Sequence, residues 1–401
     1  MSKKNRKWLV FTIMCLAYMP GNYAQYQLSV YAPELIQSFG LTTSQFSSLF
    51  TAPMIVAIFL SFVGGMISDK VGSKKVINIS FVIAGIGMIG RVFANSYMPF
   101  FLCMALTGFS NMFVNINASK ITASWFEQEK LGILMGIFAF CGQLPGAFAT
   151  ATTAVLFDSR TSAFIVSAIF CISVFVLWLL FVKDKPEDTM EEREKIDQEN
   201  QPSIGDSLKV VLSNKGIWLV SICIMMALGS TVTLSTFMPM ALQTMYGIDM
   251  KVCGTIASML TLGNCIGSIT GPIVFSKIKN VKVFVSGAAV LSFTGIIMCW
   301  RFPSIFVLHI LVLYTGIMLG ASMPIFLSAP VLLEGLGTKY AGSAAGVIST
   351  LQLLGAVLIP TYILTPIAGD NYSLLFMLAS ICMVIMFLCG LLLPQFGNNQ
   401  K

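Results

Sequence analysis

The sequence predicts an all-α integral membrane protein with about twelve transmembrane helices, arranged as two pseudo-symmetric bundles of six. The prediction rests on the composition, on the number of long apolar segments and on an internal repeat. Of the 401 residues, 56% are apolar and only 10% are charged, whereas soluble domains carry about 25% charged residues. A soluble fold would have to expose much of this apolar surface, and disordered chains are rich in charge. The composition therefore excludes both classes.

Apolar segments long enough to cross a bilayer occur in two sets of six. They begin near Trp8, Ser44, Lys75, Met98, Leu131 and Thr161, and again near Gly216, Val252, Val281, Pro303, Ala341 and Tyr372. Because each segment is continuously apolar rather than alternating, a transmembrane β-barrel is excluded. A hydrophilic stretch separates the two sets. It predicts an N-terminal bundle over 1–182, a cytoplasmic linker over 183–214 and a C-terminal bundle over 215–401.

The distribution of basic residues predicts the orientation in the membrane. If the N-terminus lies in the cytoplasm, four of the 24 lysines and arginines fall outside, namely Arg91, Arg160, Lys251 and Arg301. Cytoplasmic loops carry an excess of lysine and arginine, so both termini are predicted to be cytoplasmic. We expect a multi-pass protein of the inner (plasma) membrane.

The two halves of the sequence resemble each other. Ser29–Pro33 matches Ser235–Pro239 at an offset of 206 residues. A parallel duplication of this kind predicts a binding site near the bilayer midplane, where the halves meet. The pairs Gly132-x-x-x-Gly136 and Gly342-x-x-x-Gly346 also correspond, and this spacing of small residues predicts that helices approach closely there.

The loop after the second span reads Gly65-Met66-Ile67-Ser68-Asp69-Lys70-Val71-Gly72-Ser73-Lys74-Lys75. It resembles the cytoplasmic motif G-x-L-a-D-r-x-G-r-k of the major facilitator superfamily, and the resemblance covers the whole two-bundle plan. It implies a secondary transporter that works by alternating access, with a gating role for Gly65, Asp69, Lys70, Gly72 and Lys74. In this interpretation the Asp69 carboxylate braces the two halves on the cytoplasmic side. The alternative is an ordinary basic cytoplasmic loop with an incidental aspartate.

A second segment narrows the resemblance only slightly. Ser124–Gly132 looks like the W-F-x-x-x-x-x-G segment of the nitrate/nitrite, cyanate and oxalate–formate branches of that superfamily. The alternative is a Trp–Phe anchor at the membrane interface. Nitrate-type porters place arginines in the second and eighth spans, and this chain has none there, which counts against a close relation. Met104 stands where proton-coupled drug exporters carry an arginine, which counts against proton-driven drug export. The motifs therefore specify the superfamily and no substrate.

The first span carries a stripe of polar residues. At 100° per residue, four of them lie within an arc of about 60° and a fifth lies at its margin: Tyr18, Asn22, Gln25 and Ser29, with Tyr26. The resemblance implies that the first, fourth, seventh and tenth spans line the substrate cavity. Apart from Ser29, these residues are therefore predicted to bind substrate, and interhelical hydrogen bonding is the alternative. Pro20–Gly21 is a point at which this helix could break.

Other predicted substrate-binding residues are scattered over both halves. They are Asn111, Asn115 and Lys120 in the fourth span, Gln143 in the fifth, Thr233 in the seventh, His309 in the tenth and Gln352 in the eleventh. Lys120 either pairs with a substrate carboxylate or extends to the cytoplasmic headgroups. His309 either carries a proton or makes a structural hydrogen bond. Arg91, near the outer end of the third span, is predicted to extend to the membrane rim.

The residue types present also exclude several functions. His309 is the only histidine, and the ten cysteines form no CxxC pair, so neither a metal nor a cofactor is predicted. The sequence contains no nucleophile–base pair or phosphate loop of the kind that indicates an enzyme. It also contains no basic patch with aromatic residues, the pattern that indicates binding to nucleic acid.

The acidic residues point to a class of substrate. Every one of them lies at the end of a span or in a loop, so no carboxylate is available at mid-membrane as a proton relay. A cavity without carboxylates suits a small polar solute or an organic anion, so we predict a transporter of such a metabolite. We expect it to work as a monomer, with the substrate and the lipid bilayer as its partners. The alternative on the same fold is a membrane sensor or subunit that does not transport.

Overall fold

The computed structural model describes residues 3–126, 128–182, 204–302, 304–333 and 337–395. Within these ranges the chain is almost entirely helical and contains no β-strand. Most of the predicted linker, residues 183–203, lies outside the described residues. The prediction of an all-α fold is confirmed.

The helices pack as two compact units, which we describe separately. The first consists of the described residues within Met1–Leu41 and Ser48–Asp197, and the second of those within Thr42–Ser47 and Gln198–Lys401. The first eight helices are α1 (Lys3–Ala17), α2 (Met19–Val30), α3 (Ala32–Phe39), α4 (Thr43–Val71), α5 (Ser73–Phe93), α6 (Tyr97–Trp125), α7 (Gln128–Leu156) and α8 (Arg160–Phe181). In the first unit α2 packs on α7, and α5 packs on α6 and α8.

The remaining helices belong to the second unit. They are α9 (Ile204–Ser213), α10 (Lys215–Tyr246), α11 (Met250–Ile278), α12 (Val281–Met298), α13 (Ile305–Ala321), α14 (Met323–Leu332), α15 (Gly337–Leu358), a π-helical turn (Ile359–Leu364), α16 (Thr365–Ala368) and α17 (Tyr372–Leu392). Here α11 packs on α13, α12 packs on α17, and α10 packs on α15 and α17.

Among the described residues, 11 helical stretches are long and apolar enough to cross a membrane. Large apolar side chains are also exposed on the outside of these helices, for example Phe59 at 73% and Phe306 at 75%. Apolar surface of this extent is unfavourable in water and favourable in lipid. The chain is therefore a multi-pass membrane protein.

The first predicted span is interrupted. It is formed by α1 and α2, of 15 and 12 residues, which meet at Tyr18 and are individually too short to cross the bilayer. Pro20 lies in the first turn of α2, where its missing N–H costs no intrahelical hydrogen bond. The corresponding span in the second half, α10, continues through Pro239 as one helix of 32 residues. The break is therefore specific to the first half.

Close helix packing occurs at glycines other than the predicted ones. A Cβ atom at Gly263, Gly267 or Gly271 of α11 would lie well inside 3.0 Å of the backbone of α13. In contrast, a Cβ at Gly136, Gly342 or Gly346 would meet open space, so the prediction that helices approach closely at these positions is wrong. The α11–α13 contact depends on missing side chains, because only glycine leaves room for backbones this close.

Candidate functional site

Asn22 of the polar stripe and Asn111 of α6 form a hydrogen-bonded group in the first unit. Asn111 of α6 donates from Nδ2 to Oδ1 of Asn22 on α2, at 2.8 Å. Asn22 in turn donates from its Nδ2 to the carbonyl oxygen of Gly142 on α7, at 2.8 Å, and to that of Tyr18, at 3.3 Å. We call Asn22, Asn111 and the Gly142 carbonyl the amide cluster. It joins three helices beside the break in the first span.

The amide cluster contains one acceptor that is not used. Oδ1 of Asn111 is buried and accepts no hydrogen bond from the described residues. A buried acceptor without a donor costs about 1–3 kcal/mol, so this oxygen favours the approach of a donor from a ligand or a water molecule. Gly21 is what allows Asn111 to lie against α2, because a Cβ at Gly21 would overlap the Asn111 amide.

Tyr18 and Tyr26 flank the amide cluster on α2 and pack on α7. The ring of Tyr18 stacks on Phe138, with the centroids 4.7 Å apart, and it covers Gly142 so closely that no side chain fits there. Tyr26 lies against Gly146 and meets Phe50 edge to face, with the centroids 5.5 Å apart. Both tyrosines are partly exposed, so their rings border the cluster.

The remaining members of the stripe are fully buried. Gln25 is 4% exposed and donates from Nε2 to the carbonyl oxygen of Phe50 on α4, at 2.8 Å. Ser29 is completely buried and donates to the carbonyl oxygen of Tyr26, at 2.8 Å. These contacts favour interhelical and local hydrogen bonding over substrate contact for both residues.

Replacing Gln25 with alanine should therefore lower the free energy of unfolding by about 1–3 kcal/mol, because a buried hydrogen bond and packed volume are lost. Gln143 is the matched control, since its side chain is exposed and its replacement by alanine should change stability by less than about 0.5 kcal/mol. Denaturation of the two purified variants in detergent measures the difference. Equal stabilities would show that Gln25 has no structural role.

The other predicted residues of the first unit lie at the surface. Asn115 and Lys120 of α6 and Gln143 of α7 are exposed. Asn115 is one turn from Asn111 and shares its face of α6. Lys120 is nine residues beyond Asn111, which places it about half a turn away around the helix axis. Lys120 and Asn111 therefore do not point to the same face.

The predicted residues of the second unit do not form one group. Thr233 is fully buried and donates to the carbonyl oxygen of Gly229, one turn back on α10. His309 of α13 places Nδ1 2.8 Å from the carbonyl oxygen of Ile305 and Nε2 3.3 Å from Oγ1 of Thr255 on α11. Gln352 of α15 is partly exposed. The hydrogen bonds of Thr233 and His309 are those of structural residues.

The predicted gating residues are described only in part. The backbone of Gly65 and Asp69 belongs to α4, but the side chain of Asp69 and the surroundings of Gly65 lie outside the described part of the chain. Gly72 separates α4 from α5 with a φ of 93°, a conformation that favours glycine. Lys70 is exposed, and Lys74 is partly exposed at the start of α5.

Arg91 of α5 is not at the membrane rim, so that prediction is wrong. Its side chain is 1% exposed. It donates from Nη1 to the Ala24 carbonyl oxygen and from Nη2 to Oε1 of Gln27, both at 3.0 Å, and also to Oγ of Ser167. The guanidinium group also lies over the ring of Phe164, 4.4 Å from its centroid. Arg91 therefore ties α2 to α5 and α8.

The sequence does not predict the buried position of Arg91, because the partners of its guanidinium group are distant in sequence. The one local signal is Gln27, which lies outside the polar stripe and yet within the same apolar segment. Gln27 is completely buried and also donates to the carbonyl oxygen of Ala163 on α8, at 3.2 Å. A second polar position on the back of a membrane helix indicates a second polar contact there.

The fold and these polar contacts define a multi-pass helical membrane protein with polar groups bonded across helices inside its first unit. A model of the Major Facilitator Superfamily matches residues 10–360 of the chain. The chain therefore belongs to the major facilitator superfamily, a family of membrane transporters, as the loop motif Gly65–Lys75 predicted.

Curated relatives are similar over most of their length. A probable sulfoacetate transporter of Cupriavidus necator is 23% identical over 364 residues, which cover 85% of this chain and 83% of the relative. A galacturonate transporter of Dickeya chrysanthemi is 22% identical over 309 residues, which cover 74% and 90%. A membrane sensor protein UhpC of Salmonella typhimurium is 23% identical over 374 residues, which cover 88% and 83%.

Solved structures share the fold. The nucleoside transporter NupG matches with a TM-score of 0.77 at 15% identity, covering 97% of this chain and 99% of that chain. A bacterial homologue of the human lysosomal transporter Spinster matches with a TM-score of 0.75 at 13% identity, covering 98% and 95%. At these identities the likeness concerns the fold alone.

Proposed function

We propose that this protein moves a small organic anion, of the sugar-acid or sulfonate type, across the plasma membrane by alternating access. Two relatives above are named a probable sulfoacetate transporter and a galacturonate transporter, and others are named hexuronate transporters. All of these compounds are anions with further polar groups. Facilitated diffusion and exchange both fit this proposal.

The observation that carries the proposal is the sign of the charges inside the described spans. The described carboxylates of Glu34, Asp158, Asp249 and Asp370 all lie outside the 11 candidate spans. Arg91, by contrast, is buried within α5. A low-dielectric interior that holds positive charge and no described negative charge attracts anions and repels cations.

The amide cluster supplies the neutral part of the proposed recognition. Oδ1 of Asn111 can accept a hydrogen bond from a substrate hydroxyl, and the partly exposed rings of Tyr18 and Tyr26 can pack on its carbon skeleton. Exposed Asn115 adds a second amide one turn away. A substrate with hydroxyl groups, such as galacturonate, should therefore bind more tightly than sulfoacetate, which has none.

We also propose the orientation and the gate. Both termini and the linker lie in the cytoplasm, because that orientation places 20 of the 24 lysines and arginines inside. The halves 1–182 and 215–401 rock against each other, and Asp69 braces the cytoplasmic side when it is closed. The working unit is a monomer.

A ligand screen on the purified protein tests the substrate class. Galacturonate and sulfoacetate should raise the melting temperature, since a ligand at 100 times its Kd stabilises by about 2.7 kcal/mol. Galactose, the neutral counterpart, should have a much smaller effect. Stabilisation by galactose or by nucleosides, with none by the anions, would contradict the proposal.

The sensor alternative predicts a different pair of results. A sensor would bind galacturonate and raise the melting temperature but would not exchange it across a membrane. The UhpC relatives are no more similar to this chain than the transporters, so the comparisons do not favour a sensor.

A further inference from the structure

Arg91 carries a positive charge that no described carboxylate neutralises. Its described partners are the carbonyl oxygen of Ala24, Oε1 of Gln27, Oγ of Ser167, Sδ of Met104 and the face of the Phe164 ring. All of these are neutral groups. They solvate the guanidinium group, but they leave its net charge in place.

This charge is directed at the back of α2. Arg91 donates hydrogen bonds to Ala24 and Gln27 on one face of α2. On the other face, Asn22 and Gln25 donate to the carbonyl oxygens of Gly142 and Phe50. At 100° per residue, the midpoint of Ala24 and Gln27 lies about 160° around the helix from that of Asn22 and Gln25. A single helix therefore separates the cation from the amide cluster.

From this arrangement we infer that Arg91 is a specificity-determining residue that favours anionic substrates from behind α2 without touching them. The inference rests on the function proposed above and adds the source of the charge preference. It differs from the role considered for Lys120, because Lys120 would pair with a substrate carboxylate directly.

The expected size of the effect follows from Coulomb's law. An α-helix with its side chains is about 10–12 Å across, so a ligand at the amide cluster lies about 12 Å from the guanidinium group. At an effective dielectric constant of about 20, one unit charge at that distance changes the affinity for a monoanion by about 10-fold. The affinity for an uncharged ligand should not change.

The test compares galacturonate with its uncharged methyl ester, which has the same hydroxyl groups. The ratio of their two affinities is measured by calorimetry on the purified protein. Arg91→Gln removes the charge and should reduce the ratio by about 10-fold. Ser167→Asp keeps the arginine but places a carboxylate beside it, and it should reduce the ratio similarly even if Arg91→Gln does not fold.

Two control variants separate charge from structure. Ser167→Ala removes a hydrogen bond to the guanidinium group but keeps its charge, so it should lower stability and leave the affinity ratio unchanged. Arg91→Lys also keeps the charge and should keep the ratio.

The outcomes distinguish this inference from the proposed function. If galacturonate binds the wild-type protein and its affinity relative to the ester is the same in Ser167→Asp and in Arg91→Gln, Arg91 has only a structural role. If neither galacturonate nor its ester binds the wild-type protein, the proposed function itself fails for this substrate class, and the inference falls with it.

Discussion

Replacing Gly267 with leucine should prevent the second unit from folding. A Cβ at this position would overlap the carbonyl oxygen of Ile317 on α13, and a backbone atom cannot move aside as the end of a side chain can. The same is true of Gly263 and Gly271 on the same face of α11. We expect a loss of more than about 3 kcal/mol, above the typical range for overpacking, because the clash is with backbone.

Size-exclusion chromatography of a fluorescent fusion, together with its melting temperature, tests whether the variant folds. Gly267→Leu should elute as aggregate, and Gly267→Ala should show a strongly reduced melting temperature. Gly287→Leu on α12 is the matched control, because a Cβ there would meet open space. A monodisperse Gly267→Leu protein with the wild-type melting temperature would show that α11 and α13 do not pack through these glycines.

The second large effect is expected on substrate affinity. Asn111→Leu removes the unused acceptor Oδ1 and the hydrogen bond to Asn22 in a side chain of similar size. If a substrate hydroxyl donates to this oxygen, its affinity should fall by about 5- to 100-fold, because a buried hydroxyl left without its partner costs about 1–3 kcal/mol. Titration of galacturonate into the purified variant measures the change.

Asn117→Leu is the control for this experiment. Asn117 also lies on α6 but is completely buried and donates to Oγ of Ser68, at 2.9 Å, and to the carbonyl oxygen of Phe113. Its replacement should lower stability without changing affinity. If Asn111→Leu behaves in the same way as Asn117→Leu, the amide cluster is structural and does not bind substrate.

Much of the fold could be predicted because lipid imposes simple rules on sequence. A spanning helix must be apolar over about 20 residues, so the spans are visible as long apolar segments of the sequence. The break in the first span is predicted at Pro20–Gly21 and occurs at Tyr18, which places Pro20 in the first turn of α2, where its missing N–H costs no hydrogen bond. The polar stripe was visible because its residues follow the helical period.

What could not be predicted depends on partners far away in the sequence. The sequence holds several pairs of glycines four residues apart, and only the packing shows that Gly263 and Gly267 face a neighbouring backbone while Gly342 and Gly346 do not. Arg91 likewise looked like a rim residue. Its actual environment is built from Gln27 and Ser167, which are 64 and 76 residues away.

Counterflow in proteoliposomes tests most directly whether this chain transports small organic anions. Vesicles loaded with unlabelled galacturonate should take up labelled galacturonate transiently above equilibrium, while vesicles loaded with galactose should not. Ser167→Asp provides an internal comparison with reduced anion exchange. Saturable exchange of galactose or of nucleosides, with no exchange of galacturonate or sulfoacetate, would contradict the account.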